Sequence, residues 1–254
     1  MRLAVCVAAV PNPAKVKWDR FRQLLDVQDA EPVLNPADRN ALELAASLAK
    51  ATGTTFDVYC AGLGASAALR EAAVFGADRL VAIGDPRLES ADEAGIAAAL
   101  SDSIRHDGGA DVVFCGAATA SLGSGAVPGY LSSSLEAGLR SDVVDVRAES
   151  DALSVVLIDG PSLVRSDAAT PLVIAAARYG IQVRAVSPIL LMRASKKPIE
   201  EVLLDYPAPL PSTGATDGPL ESNRKRRLNE TVDGPDVTAR AITLVSALRE
   251  RQLV

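Results

Sequence analysis

The chain has 254 residues, 48% of them hydrophobic and 23% charged, which is enough apolar material for one large or two small domains and too much for a disordered chain. Its 26 basic residues stand against 32 acidic ones, and a net charge of −6 argues against a broad nucleic-acid or anionic-membrane surface, since both need a basic footprint. Cys6, Cys60 and Cys115 are odd in number, far apart and each set in an apolar run; this points to buried thiols in a reducing cytosol, and with no CxxC or HxxxH spacing no zinc site is expected.

The first stretch, MRLAVCVAAVPNP, carries one positive charge and too short an apolar run for a secretory signal, and nothing later approaches the roughly 18 apolar residues of a membrane span. A cytoplasmic protein, not integral to a membrane, is expected. LAVCVAAV (3–10), FDVYCAGL (56–63), RLVAIGD (79–85) and DVVFCGAA (111–118) read as strands buried on both faces. Between them PADRNALELAASLAKATG (36–53), ASAALREAAVFGA (65–77) and SADEAGIAAALSDSIRHDG (90–108) have helical spacing and glycines at their ends. This alternation predicts an α/β fold, a doubly wound and mostly parallel Rossmann-like sheet with right-handed crossovers. After Gly138 the runs VVDVRAES, LSVVLID, PSLVRSD and TPLVIAAAR read as further strands with short turns, one an antiparallel return. YPAPLPSTGATDGP (206–219) reads as an extended linker, NRKRR (223–227) as a short basic cluster, and the stretch from Val237 as an amphipathic helix with Val237, Ala241, Leu244, Val245 and Leu248 on one stripe. The division this implies is an α/β nucleotide-binding domain over 1–195 and a C-terminal arm over 196–254.

Ligands of open α/β sheets lie across the carboxyl ends of the strands at the topological switch point, so Ala8–Pro13, Ala61–Gly64, Gly84–Pro86 and Gly116–Gly125 are the stretches to watch. In FCGAATASLGSGAVPG (114–129) Gly116 ends a strand, and Gly123, Ser124 and Gly125 precede a helix of about ten residues starting near Ala126. The backbone N–H groups there suit a phosphate. The same glycines equally suit a helix packed tightly on the sheet, and neither the Walker pattern nor a strict GxGxxG is present. In LNPADRNALELA (34–45) Asn35 is a good N-cap, Pro36 takes the first helical position and Asp38 lies in the first turn.

That Asn-Pro-x-Asp helix start resembles the beta subunit of electron transfer flavoproteins. LREAAVFGADRLVAIGD (69–85), ADVVFCGAATAS (110–121), TPLVIAAAR (170–178) and ILLMRASKKPIEEV (189–202), with its Met-x-Ala-x-Lys-Lys-Pro segment, resemble further pieces of that family in the same order, over nearly the whole chain. The resemblance implies a sheet of the adenine nucleotide alpha hydrolase-like kind and an electron carrier subunit that does no bond chemistry itself. It implies a heterodimer in which an alpha subunit carries most contacts to a redox-active FAD, while the beta subunit holds AMP or a second FAD and the pair takes electrons from flavin dehydrogenases. Carried over residue by residue, the nucleotide would be lined by Ala8, Ala9, Asn35, Pro36, Asp38, Ala61, Gly62, Gly116, Gly123, Ser124, Gly125, Ala126 and Val127. The family's acidic and amide-rich nucleotide loop is absent here, leaving three outcomes open: weaker AMP, a larger nucleotide, or an empty site. The resemblance also makes Pro188, Ile189, Leu190 and Leu191 a partner-docking group, the alternative being a strand or helical turn buried in the chain's own core; the C-terminal arm is expected to contact the partner subunit, the alternative being that it folds back on its own domain. No catalytic and no metal-binding residue is expected: His106 reads as a charge at a helix end, and Asp85, Asp92 and Glu93 read as capping. Two other readings compete, a stand-alone adenine-nucleotide protein of the universal-stress type and a degenerate scaffold subunit.

Overall fold

The computed structural model describes residues 1–21, 24–120, 124–149, 152–194, 196–203 and 231–251. The chain divides into two units, Met1–Gly218 and Pro219–Val254. In the first, a nine-stranded sheet runs in the order β11-β10-β9-β12-β8-β1-β6-β7-β13. Its strands are β1 (Leu3–Val7), β6 (Phe56–Ala61), β7 (Leu80–Gly84), β8 (Val112–Gly116), β9 (Gly138–Ala148), β10 (Leu153–Asp159), β11 (Ser162–Ala168), β12 (Leu172–Ala176) and β13 (Glu200–Leu203). Every pairing from β9 across to β13 is parallel, and β10 alone runs the other way, pairing antiparallel with β9 and with β11. Four short strands precede the first helix: β2 (Ala9–Pro11) pairs β5 (Pro32–Leu34), and β3 (Lys17–Asp19) pairs β4 (Leu24–Asp26).

From β1 the chain builds outward to β6 and β7, then crosses back to place β8 on the other side of β1, so the switch point lies between β1 and β8. Helices cover both faces. On one lie α1 (Pro36–Thr52) and α2 (Ala65–Ala72), packed with Val5, Val58 and Phe114; on the other lie α3 (Glu93–His106) and α4 (Val127–Ser134), packed with Ala4, Tyr59 and Val113. Strands buried on both sides explain the unbroken apolar runs of the sequence. Alternating leucine and alanine on α1, such as Leu42, Ala45, Leu48 and Ala49, set the helix close to the sheet, each buried leucine contributing about 1.5–3 kcal/mol. Gly53 ends α1 in the left-handed conformation at φ 65°.

Two boundaries differ from expectation. The run 3–10 is not one strand: the Ala8 amide leaves the ladder for the Asp38 carboxylate, Ala8 O accepts from Asn35 N–H, and the chain turns into β2. Glu200–Leu203, beyond the expected boundary at 195/196, pairs in register with Val81–Gly84 as the sheet's edge strand. Arg79 helps to seat it, with Nη2 2.7 Å from Glu200 and Nη1 2.9 Å from Asp107. The linker 206–219 and the basic cluster 223–227 lie outside the described residues. In the second unit α6 (Val237–Glu250) is capped by Asp236, which accepts from Ala239 N–H at 2.8 Å; it buries no residue, and Val237, Ile242, Leu244 and Val245 are exposed.

Candidate functional site

The first turn of α1 organises the site. Asn35 stands at the N-cap position, yet its side chain leaves the helix end uncapped: Nδ2 donates to Ala118 O at 3.1 Å and Oδ1 accepts from Ala120 N–H at 3.0 Å. Asp38 is buried, and its carboxylate accepts from Ala8 N–H at 2.7 Å and from Gly116 N–H at 3.0 Å. Those amides end β1 and β8, the two strands of the switch point. One turn on, Asn40 Nδ2 donates to Ala177 O at 2.7 Å and Arg178 O at 3.1 Å, just past β12. Three side chains of one helical start therefore hold three strand-end loops. Loss of water around Asp38 pushes its carboxyl up to about 7, against the opposing pull of the Ala8 amide, the Asn35 side chain and the Gly116 amide.

Beside this clamp lies a cavity of about 160 Å³. The structure brings Ala8, Ala9, Asp38, Ala61, Gly116, Gly125 and Val127 together around it. Asn35 and Pro36 line a shallower groove with Ala118 and Tyr179, Ser124 and Ala126 line an adjoining groove along β12, and Gly62 lies in a third groove toward β13. Gly123 lies outside the described residues. Two glycines are sterically required. A Cβ on Gly116 would stand 2.3 Å from Asp38 Oδ1 and 3.0 Å from the Ala37 backbone; one on Gly125, at φ +67°, would stand 2.5 Å from Ala117 O. Glycine thus lets α1 close onto the end of β8, and the loop before α4 close onto Ala117, beside the cavity.

Sequence reasoning passes over one wall. Asp92, Glu93 and Ile96 come from the start of α3. Asp92 caps that helix, accepting from Ala94 and Gly95 N–H at 3.0 and 3.1 Å. Glu93 turns inward instead: Oε2 accepts from the Ser124 hydroxyl, while Oε1 is buried with no hydrogen-bond partner. An acidic pair at a helix start looks like capping in a sequence, and nothing beside it there shows that one acid faces a space. Asp85, by contrast, belongs to its own loop, paired with Arg87 at 2.5 Å. His106 is far from the cavity, at the C-terminal end of α3, 3.7 Å from Asp107.

Cys6 and Cys115 form part of the cavity lining, and Cys60 packs on the other face of the sheet. Burial pushes all three thiols up, Cys60 to about 12. The native protein is expected to leave all three unlabelled by an aromatic disulfide reagent at pH 8 and to yield three thiols per chain in denaturant; rapid labelling of the native protein would contradict their burial. The apolar group at 188–191 forms the start of α5 (Pro188–Ala194), with Ile189, Leu190, Leu191 and Met192 exposed rather than buried in the core. Among the described residues no helix is long and apolar enough to cross a membrane.

A profile of the family described as "Electron transfer flavoprotein domain" matches residues 24–205. The chain is 30% identical over 179 residues to the electron transfer flavoprotein subunit beta of Thermoanaerobacterium thermosaccharolyticum, covering 69% of this chain and 68% of that one. It is 26% identical over 187 residues to the subunit beta of Megasphaera elsdenii, covering 70% and 69%. It is also 29% identical over 152 residues to the caffeyl-CoA reductase-Etf complex subunit CarD of Acetobacterium woodii, covering 59% and 58%.

Proposed function

The chain belongs to the electron transfer flavoprotein family as a beta-subunit member, and on that premise we propose that it is the beta half of a heterodimer carrying electrons from flavin dehydrogenases to a downstream acceptor. In this reading the alpha subunit holds most of a redox-active FAD, and this chain holds an adenine nucleotide, AMP or the AMP half of a second FAD, in the cavity at its switch point. The observation that carries the assignment is the clamp of Asp38 on the Ala8 and Gly116 amides beside a cavity lined by Ala8, Gly116 and Gly125. A bound flavin supplies the electron chemistry. The chain's own residues bind and orient: Ala8, Ala9 and Ala61 give a close wall for a flat ring, Val127 and Ile96 cover it, and Asp38 holds the strand ends in place from behind. The exposed apolar start of α5 and the helix α6 are surfaces for the partner and the donor dehydrogenases, since exposed clusters of large aliphatics ask for a cover.

Coexpression with an alpha-type chain tests the proposal. The expected result is a yellow complex with flavin absorbance, a colourless chain when expressed alone, and release of AMP or FAD on acid extraction, read by chromatography. A chain that forms no complex and releases no adenine compound would refute it.

A further inference from the structure

We infer that Glu93 makes the cavity selective for the uncharged adenosine part of a nucleotide and keeps the phosphate outside it; this rests on the adenine-nucleotide reading of the site. The charged residues lining the cavity are Asp38, Asp92 and Glu93, and no lysine or arginine lines it among the described residues. A phosphate placed here would meet carboxylates with no cation among the described lining residues to offset them. Glu93 also stands where a phosphate would have to go: its carboxylate reaches from the start of α3 to Ser124, just ahead of α4, and so sets a negative charge at that helix's N-terminal side. Its other oxygen, Oε1, is buried and lacks a donor. A ribose hydroxyl or an exocyclic amine supplies such a donor, whereas a phosphate dianion has none to give.

Size agrees. A space of about 160 Å³ is small beside the roughly 300–1,000 Å³ of whole-ligand sites, so it takes a base and part of a sugar, with the remainder in the adjoining grooves. The apolar surfaces of Ile96, Leu100, Val127, Cys6 and Cys115 suit a planar ring. Asp38 is committed to two backbone donors and Asp92 to the Ala94 and Gly95 amides, which leaves Glu93 as the acid for the ligand.

Calorimetry with adenosine and AMP on the full chain, wild type and Glu93→Gln, tests the inference. Wild type is expected to bind adenosine at least as tightly as AMP, and Glu93→Gln to shift the ratio of the two affinities toward AMP by roughly tenfold, the effect of removing one nearby like charge. Raising salt should tighten AMP binding to wild type and leave adenosine unmoved, a readout that needs no variant to fold. AMP binding more than tenfold tighter than adenosine in wild type, or a ratio indifferent to both salt and Glu93→Gln, would overturn the role of Glu93 while leaving the nucleotide reading intact. Failure of both ligands to bind either protein would overturn that reading as well.

Discussion

Asp38→Ala is expected to lower folding stability by about 2–5 kcal/mol, because it orphans the buried N–H of Gly116 and the half-buried N–H of Ala8 at about 1–3 kcal/mol each, and, on the proposed function, to abolish nucleotide retention. Urea denaturation measures the first effect and acid extraction the second. The pH dependence has a definite sign. Burial raises the Asp38 carboxyl from 3.8 to about 7 in the folded chain, so between those values the folded state holds a proton that the unfolded state has released. Its contribution is therefore fully present below about pH 4, is lost as pH rises toward 7, and is flat above; the whole step is at most about 4 kcal/mol. The stability of wild type relative to Asp38→Asn should decline over that window. A relative stability that is constant from pH 4 to 7 would show that the carboxyl titrates as an ordinary one, and a rising one that the two amides hold it below the ordinary value; either would refute the upward shift.

Gly116→Ala is expected to be nearly as harmful, costing about 3 kcal/mol from a single methyl. The added carbon would sit 2.3 Å from Asp38 Oδ1, a side-chain end pinned by the Ala8 and Gly116 amides, and 3.0 Å from both the backbone carbon and the Cβ of Ala37, which cannot rotate away. To relieve it the carboxylate must swing off the Gly116 amide or α1 must lift from β8. The control is Gly129→Ala in α4, where a Cβ meets nothing within 4 Å; there alanine should be neutral or stabilising by up to about 1 kcal/mol. Equal effects at the two positions, in urea titrations of both variants, would refute the steric account.

The central architecture was legible because its signal is long and repeated: apolar runs such as VVFC and LVAI alternate with leucine and alanine at helical spacing, and burial on both faces of a parallel sheet writes that pattern directly. The Asn-Pro-x-Asp start was readable as a helix start, but not for what its side chains do. Capping and clamping use the same residue types, and the partners of Asn35 and Asp38 lie 30 to 85 positions away. The end of the first strand at Ala8 was hidden for the same reason, since the bond that diverts it comes from Asp38. Glu93 was misread as capping because the space it faces is assembled from four other segments. The short edge strand Glu200–Leu203 carries no alternation, being two glutamates followed by Val202 and Leu203, and it depends on β7 and Arg79 for its place.

Asn35, Asp38 and Asn40 occupy one short run of chain, yet between them they bond the ends of three strands, β1, β8 and β12. That arrangement works as a keystone. Lengthening or resequencing any one of the loops is tolerable so long as its anchoring backbone group stays in reach, whereas inserting a single residue between positions 35 and 40 would turn the anchors before it by about 100° relative to those after it and break the set. Any attempt to graft a new binding specificity onto this scaffold should accordingly redraw the loops and leave that six-residue stretch untouched.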